Sequence, residues 1–195
     1  VPFPDYFTTL GVIPGIKVDK GAHLMAGTDG EKVTEGLDGL AERLKAYYNL
    51  GARFAKWRAV LTISDDAPSN ECVSANAHAL ARYAALCQEH GLVPIVEPEI
   101  LMDGTHTIED NFVITEEVLH TTFYELYVQG VAYEGMVLKP NMVLSGYNCA
   151  DQVSVDEVAE MTITCLSRTV PSAVPGIAFL SGGQSDEKAT AHLNA

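Results

Sequence analysis

Residues 92–101, Leu-Val-Pro-Ile-Val-Glu-Pro-Glu-Ile-Leu, form the stretch of sequence that decides the fold. This mainly apolar run is too short for a buried helix and follows Gly91, which is typical of a buried strand. Alternate side chains of a strand face the same side, so Glu97 and Glu99 would share one face near its carboxyl end. Charges in an apolar strand are costly unless they are paired, so these carboxylates indicate a polar site there.

Four other segments have the same character, and helical stretches separate them. The further predicted strands are Val12–Val18, Phe54–Ile63, Gly135–Val143 and Gly176–Leu180. The predicted helices are Gly36–Tyr48, Ser74–His90, Thr115–Gln129, one from a capping box at Ser154 to Pro171, and a last one capped by Ser185. This alternation predicts an α/β fold with a parallel sheet covered by helices. No linker interrupts the order, so residues 1–195 are interpreted as a single domain.

The spacing of the strands narrows the architecture. One polar residue near each strand end, namely Lys17, Lys56, Glu97, Lys139 and Ser181, gives separations of 39, 41, 42 and 42 residues. Repeated βα units of equal length are typical of a TIM (β/α)8 barrel, and eight such units need roughly 330 residues. About five units are visible, so the sequence predicts the central part of such a barrel. The alternative is a complete doubly wound sheet of five strands.

An open sheet of five strands would have exposed apolar edges. A barrel that lacks three strands cannot close, and unpaired edges favour aggregation. We therefore expect these 195 residues neither to fold stably nor to turn over substrate by themselves.

Composition and charge exclude several classes of function. Lys and Arg number 12 against 26 Asp and Glu, which gives a net charge of -14 and an isoelectric point near 4.6. Such a chain repels phosphate backbones and anionic lipid, so we expect no nucleic-acid partner and no membrane partner. No apolar run approaches the ~20 residues of a membrane span. The four cysteines are far apart, which favours a reducing, cytoplasmic location over a disulfide framework.

Each predicted strand ends with two residues placed two positions apart. The pairs are Lys17 and Asp19, Lys56 and Arg58, Glu97 and Glu99, Lys139 and Asn141, and Ser181 and Gly183. In a parallel barrel these ends meet at one face, where active sites lie. Four cations against three carboxylates give this face a charge of +1, which suits an anionic substrate. The six histidines show no metal-ligand spacing, so no metal is predicted.

The residue types at this face favour chemistry based on lysine. Lys56 and Lys139 would stand on different strands beside carboxylates, as Schiff-base formation needs: a neutral amine attacks a carbonyl, and a carboxylate moves protons. The turn Ser181–Ser185 (Ser-Gly-Gly-Gln-Ser) has backbone N–H groups that can hold a phosphate. Taken singly, the lysines could be solvated flanks, the turn a plain connection and the glutamates part of a structural salt-bridge network. Together they predict a lysine-based barrel enzyme for an anionic carbonyl substrate.

Six runs of sequence carry a family resemblance. They are Gly15–Gly21, Gly36–Arg43, Phe54–Arg58, Ile95–Leu101, Leu138–Met142 and Phe179–Ser185. These runs closely resemble class I fructose-1,6-bisphosphate aldolase, and the similarity covers the whole chain. The resemblance implies a lyase of glycolysis and gluconeogenesis, without metal or other cofactor, that reversibly cleaves fructose 1,6-bisphosphate to dihydroxyacetone phosphate and glyceraldehyde 3-phosphate. It also implies a cytoplasmic homotetramer and places the family's first two strands and its eighth outside these residues.

The resemblance also implies catalytic roles for four residues. Lys139 would form the Schiff base with the substrate ketone, and Glu97 would be the acid and base of imine formation. Lys56 would help to keep Lys139 uncharged and would contact substrate. Glu99 would orient the lysines.

Substrate-binding roles follow from the same resemblance. Lys17 and Arg58 would contact the substrate, including the phosphoryl group far from the ketone. Ser181, Gly182 and Gly183 would hold the phosphate beside the ketone. Two other readings remain open: a non-catalytic scaffold with this fold, and a Schiff-base barrel lyase for a different keto substrate.

Overall fold

A parallel sheet flanked by helices forms the body of the structure, a computed structural model that describes residues 1–195. The strands are β1 (Gly15–Lys17), β2 (Ala22–Leu24), β3 (Lys32–Thr34), β4 (Phe54–Leu61), β5 (Val93–Ile100) and β6 (Val137–Leu138). The helices are α1 (Phe3–Thr9), α2 (Leu40–Asn49), α3 (Asn70–Glu89), α4 (Ile108–Val128), α5 (Val155–Thr169) and α6 (Asp186–Asn194). None of these helices is both long and apolar enough to span a membrane.

The strands of the main sheet follow one another in chain order. Their spatial order is β1, β4, β5 and β6, and every pair is parallel. The fifth predicted strand lies beside β6 through a single bridge between Leu138 and Ile177. A doubly wound sheet reverses its strand order at a switch point, and no reversal occurs here. The doubly wound alternative is therefore wrong.

All five predicted strands have counterparts, but several are shorter than predicted. β1 begins only at Gly15, because Pro14 has no N–H to give to the sheet. β6 spans two residues and is followed closely by Pro140, which breaks the ladder in the same way. The segment 176–180 is attached to β6 by the hydrogen bonds of Leu138 and by one from the Leu180 N–H to the Pro140 carbonyl at 3.1 Å.

The helix starts show which capping signals were read correctly. The Ser154 and Ser185 side chains accept hydrogen bonds from the N–H groups three residues later, so both serines are confirmed as helix caps. The capping box predicted at Ser154 is incomplete, because the Glu157 side chain does not accept from the Ser154 N–H. The predicted start of the third helix at Thr115 is wrong, since α4 begins seven residues earlier, at Ile108. Its capping box joins Thr107 to Asp110, where the usual signature has Glu or Gln.

Three elements lie outside the predicted set: α1, the antiparallel hairpin of β2 and β3, and a single-turn 3₁₀ helix at Tyr133–Gly135. Each hairpin strand has only three residues, too few to show an alternating pattern. The hairpin is joined to the main sheet by the Thr34 hydroxyl, which donates to the Arg58 carbonyl at 2.8 Å. It therefore stands at the carboxyl end of β4.

The core between β4 and α3 decides which way the polar side chains of β4 face. Ala55 and Trp57 are fully buried, and the Trp57 ring stacks on Tyr83 of α3 with centroids 5.5 Å apart. The Tyr83 hydroxyl donates to the Ala55 carbonyl at 2.7 Å. Because side chains alternate along a strand, Lys56 and Arg58 lie on the opposite face, away from the helices.

Three of the four cysteines belong to this helix layer, and their reactivity tests its packing. Burial raises the pKa of Cys72 to about 11 and the pKa values of Cys87 and Cys165 to about 12, whereas Cys149 is only half-buried. Only thiolates react with alkylating reagents, so iodoacetamide at about pH 8 is expected to modify Cys149 of the native full-length protein first. Peptide mass spectrometry measures this order. Labelling of Cys87 as fast as Cys149 without denaturant would contradict the packing.

Candidate active site

The register of the parallel strands brings the predicted lysines and glutamates to one edge of the sheet. Lys17 lies beside Lys56 in the β1–β4 pair, and Arg58 lies beside Glu97 in the β4–β5 pair. The Lys139 N–H donates to the Val96 carbonyl at 2.8 Å, which places Lys139 next to Glu97. Lys17 and Lys56 thus lie at one level of the sheet, and Arg58, Glu97 and Lys139 lie together two residues farther along the strands.

Glu97 joins two lysines from the strands on either side of it. Its Oε1 lies 2.9 Å from Lys139 Nζ, and its Oε2 lies 2.8 Å from Lys56 Nζ. The Glu97 side chain is only 3% exposed, which strengthens both attractions because little water screens them. The contact with Lys56 is an ion pair without hydrogen-bond alignment, so Oε2 keeps a free acceptor position.

Arg58 and Glu99 form a second pair above the first. Arg58 Nε donates to Glu99 Oε2. This hydrogen bond raises the pKa of Arg58, burial opposes the rise, and the charges of Glu99, Glu97 and Asp19 add to it. Arg58 therefore stays a cation. Its two terminal nitrogens make no hydrogen bond within the protein, and the side chain is 43% exposed, so they are available to an anion.

Asp19 is a site residue to which the sequence analysis gave no role. Its buried carboxylate lies 2.6 Å from Lys17 Nζ and accepts from the N–H groups of Gly21 at 3.1 Å and Arg58 at 3.3 Å. It therefore holds β1 against β4 and fixes the base of the exposed Lys17 side chain. Its spacing of two from Lys17 was the only available signal.

The Ser181–Gly183 turn lies at the same edge of the sheet, at the end of segment 176–180. Gly182 and Gly183 have φ values of +61° and +84°, the left-handed region that favours glycine. None of the three backbone N–H groups of the turn donates a hydrogen bond within the protein. Such successive free N–H groups suit an anion. The turn makes no hydrogen bond or ion pair with the Lys139–Glu97 cluster.

The balance of charge at this edge is positive. Lys17, Lys56, Arg58 and Lys139 face Asp19, Glu97 and Glu99, and every carboxylate is engaged. The excess positive charge arises because two lysines, Lys56 and Lys139, share the single carboxylate of Glu97. The edge can therefore attract an anionic ligand and offers an amine with a carboxylate beside it.

The largest cavity of the molecule lies elsewhere. It has a volume of about 860 Å³ and lies between the β2–β3 hairpin and the loops that follow β4 and β5. Its walls carry five carboxylates: Asp29, Glu31, Asp65, Asp66 and Glu71. This charge repels a phosphorylated ligand, so the cavity is not the candidate substrate site.

Asn141 ties the end of β6 to its surroundings and so positions Lys139 two residues before it. Its Oδ1 accepts from the Ile100 N–H at 3.1 Å, and its Nδ2 donates to Thr115 Oγ1 at 3.2 Å. Both ends of this link are buried. Thr115, which was expected to cap a helix, instead serves as this internal anchor in α4.

Replacing Asn141 by Ala is expected to destabilise the full-length protein. The buried Ile100 N–H loses its acceptor, which costs about 1–3 kcal/mol in the free energy of unfolding. Urea titration followed by far-UV circular dichroism measures the change. Thr115→Val should also destabilise the protein, because the Thr115 hydroxyl accepts from Asn141 and donates to the buried Asn111 Oδ1 at 3.2 Å. Equal stability of N141A and the wild type would contradict the assigned link.

Comparisons with known proteins identify the family of the chain. A family model described as fructose-bisphosphate aldolase class-I matches residues 1–195. The chain is 62% identical to a probable fructose-bisphosphate aldolase class 1 of Xanthomonas axonopodis pv. citri, matching 100% of this chain and 58% of the relative. It is 56% identical to the cytosolic fructose-bisphosphate aldolase 6 of Arabidopsis thaliana, of which it covers 54%. The chain thus spans little more than half the length of these relatives.

A solved structure gives the same result. A crystal structure of fructose-bisphosphate aldolase from Plasmodium falciparum, in complex with TRAP and a small-molecule inhibitor, matches with a TM-score of 0.97 and 52% identity. The match covers 100% of this chain and 56% of that one. The predicted TIM (β/α)8 barrel, with about five βα units in these residues, is confirmed.

Proposed function

Since the chain belongs to the class I fructose-bisphosphate aldolase family, we propose that the full-length protein is a Schiff-base-forming lyase that cleaves fructose 1,6-bisphosphate reversibly. The products are dihydroxyacetone phosphate and glyceraldehyde 3-phosphate. The observation that carries the proposal is the buried contact of Glu97 with the amines of both Lys56 and Lys139. Both lysine side chains remain partly exposed, at 23% and 30%, so a substrate can reach them.

The chemistry of imine formation fits this arrangement. The neutral amine of Lys139 attacks the ketone carbon, a C–N bond forms, and Glu97 carries a proton from the nitrogen to the former carbonyl oxygen. The Lys56 ammonium, which contacts the other oxygen of Glu97, supplies a second proton. The former carbonyl oxygen of the substrate then leaves as water. A protonated Schiff base remains on Lys139. It accepts the electron pair of the breaking C–C bond and becomes an enamine, while the neighbouring hydroxyl gives its proton to the Lys56 amine, left neutral by the preceding step, and becomes the aldehyde. Return of that proton to the enamine carbon and hydrolysis by water then release dihydroxyacetone phosphate and restore the Lys139 amine and the Lys56 ammonium.

The substrate phosphates match the remaining cations and the turn. The free N–H groups of Ser181, Gly182 and Gly183 would hold the phosphate beside the ketone. Lys17 and the terminal nitrogens of Arg58 would contact the substrate and its far phosphoryl group. Glu99 would keep Arg58 in this orientation through their hydrogen bond.

The two alternatives fit the site less well. A non-catalytic scaffold has no need of a buried carboxylate shared by two lysines, a costly arrangement outside catalysis. A Schiff-base lyase for another keto substrate would use the same lysine. The presence of both the turn and the Lys17 and Arg58 cations favours a substrate with two phosphates.

The proposal also includes the domain structure, cellular location and oligomeric state of the protein. Residues 1–195 would form a single domain, the central part of the aldolase barrel, in a cytoplasmic enzyme like its cytosolic relatives. The reaction as written needs no metal or other cofactor. A homotetramer would use surfaces such as the outer face of α4, where Tyr124, Tyr127 and Val128 are more than half exposed.

Trapping of the Schiff base tests the assignment of Lys139. Incubation of the full-length protein with dihydroxyacetone phosphate and borohydride should reduce the imine and leave a mass adduct on Lys139. Peptide mass spectrometry locates it. Lys45, exposed on α2, supplies the control: Lys45→Ala should trap as well as the wild type. The role of Lys139 is wrong if the adduct sits on Lys56 or does not form.

Replacement of Glu97 by Gln tests the proton transfers. The amide keeps the shape of the side chain but cannot take up a proton, so kcat is expected to fall by about 10²- to 10⁴-fold. The rate of imine formation, measured by stopped flow, should fall by a similar factor. A kcat within a few-fold of the wild type would assign the proton transfers to another group.

A further inference from the structure

Side chains from outside the Ser181–Gly183 turn hold both of its inner carbonyl groups. The Tyr147 hydroxyl donates to the Gly182 carbonyl. The Gln184 Nε2 donates to the Ser181 carbonyl at 2.9 Å. Neither Tyr147 nor Gln184 was given a role by the sequence or by the mechanism above.

These two bonds fix the directions of the free N–H groups of the turn. In a trans peptide the C=O of one residue and the N–H of the next point in opposite directions, and both peptides here are trans. A bond from Gln184 to the Ser181 carbonyl therefore turns the Gly182 N–H away from Gln184. The bond from Tyr147 to the Gly182 carbonyl turns the Gly183 N–H away from Tyr147. The Ser181 carbonyl also accepts from the Gln184 N–H at 3.2 Å, so the Gln184 side chain reinforces a backbone bond, whereas the Gly182 carbonyl is held by the Tyr147 hydroxyl. Glycine has little conformational preference of its own, so these bonds set the orientation of the two peptides.

We propose that Tyr147 and Gln184 are positioning residues that preorganise the Ser181–Gly183 turn for the substrate phosphate beside the ketone. The inference rests on the proposed function and adds to it two side chains that touch no substrate. They act through the peptide planes that carry the phosphate-binding N–H groups.

Tyr147 is held from the loop that follows β5. The N–H groups of Gly146 and Tyr147 donate to the His106 and Met102 carbonyls, each at 2.9 Å. A Cβ on Gly146 would lie 2.5 Å from the Gly104 carbonyl oxygen, so only glycine allows the two segments to approach this closely. The tyrosine therefore joins the end of the Glu97 and Glu99 strand to the phosphate turn.

Gln184 is held from α6. Its Oε1 lies 2.6 Å from Nδ1 of the buried His192. The Ser181 carbonyl can only accept, so the Gln184 NH₂ group must face it, and His192 Nδ1 must carry the proton given to Oε1. Burial lowers the pKa of His192, with a smaller contribution from Lys188, but Nδ1–H donates in the neutral form and in the cation alike. The link is therefore maintained across neutral pH.

Paired kinetic measurements on the full-length protein test the proposal. Tyr147→Phe removes one hydrogen bond to the turn. Gln184→Leu removes the bond to the Ser181 carbonyl together with those to His192 and Met142. KM for fructose 1,6-bisphosphate and Kd for dihydroxyacetone phosphate should each rise about three- to tenfold. The reaction of Lys139 with dihydroxyacetone, which has no phosphate, should not change, and kcat should change less than KM. Borohydride trapping at graded ligand concentrations gives both affinities.

Two variants elsewhere in the protein provide matched controls. The Tyr133 hydroxyl donates to the Phe123 carbonyl at 2.9 Å, and Gln88 Nε2 donates to the Ala132 carbonyl at 2.7 Å, both in the helix layer. Gln88 also donates to the Gly135 carbonyl at 3.3 Å and accepts from the Ala132 N–H at 2.9 Å, so Gln88→Leu, like Gln184→Leu, removes more than one bond. Tyr133→Phe and Gln88→Leu should leave both ligand affinities unchanged.

Three outcomes overturn the proposal: unchanged affinity for the phosphate ketone, equal weakening toward both ketones, or the same effect in the controls. If the wild-type protein traps no ketone at all, the proposed function fails instead. Binding of inorganic phosphate, measured by calorimetry, then decides the role of the two residues. The proposal requires Y147F and Q184L to weaken it and Y133F and Q88L not to.

Discussion

The carboxylate of Glu97, buried between amines from two neighbouring strands, is the constraint on which the rest of the site depends. A buried carboxylate needs a cation within reach of each oxygen, and here one comes from β4 and the other from β6. Three parallel strands must therefore stand in one register with their charged residues on the same face. The apolar side chains of β4 and β5 then pack against α3, and the charged side chains lie on the opposite face of the sheet.

The other charges repeat this arrangement at the sheet's edge. Asp19 joins β1 to β4, and Glu99 on β5 joins Arg58 on β4, so each carboxylate contacts a cation within reach along or across the sheet. The hairpin and the loop after β5 add hydrogen bonds from Thr34 and Tyr147. Acidic residues dominate the chain as a whole, yet at this edge cations are in excess. The edge is therefore the place on the molecule best suited to receive an anionic ligand.

Much of this could be predicted from the sequence, because strand ends in a parallel barrel must meet. The spacing of Lys56, Glu97 and Lys139 gave the number of βα units and the polar face together. Strand lengths were less predictable: hydrophobicity continues past Pro14 and Pro140, but the hydrogen-bond ladder does not.

Other features were missed in the sequence. The start of α4 was missed because an Asp serves in its capping box. Tyr147 lies in an irregular segment, and its contact with a turn 35 residues away depends on backbone bonds between two loops. The hairpin strands were too short to show a period. The Tyr147 contact is made at long range and depends on backbone atoms, which carry no side-chain pattern. The cap of α4, by contrast, is a local contact between Thr107 and Asp110.

Pairing across neighbouring strands has a consequence for the assembly of the molecule. Sliding β5 by one residue against β4 would move Glu97 and Glu99 to the helix side of the sheet, among Trp57 and Tyr83. The lysines would then lose their counter-ions. A misaligned sheet would thus be destabilised by the charged groups of the candidate site. The ion pairs of the candidate site therefore also favour the correct alignment of the strands, because a misaligned sheet would contain buried charges without partners.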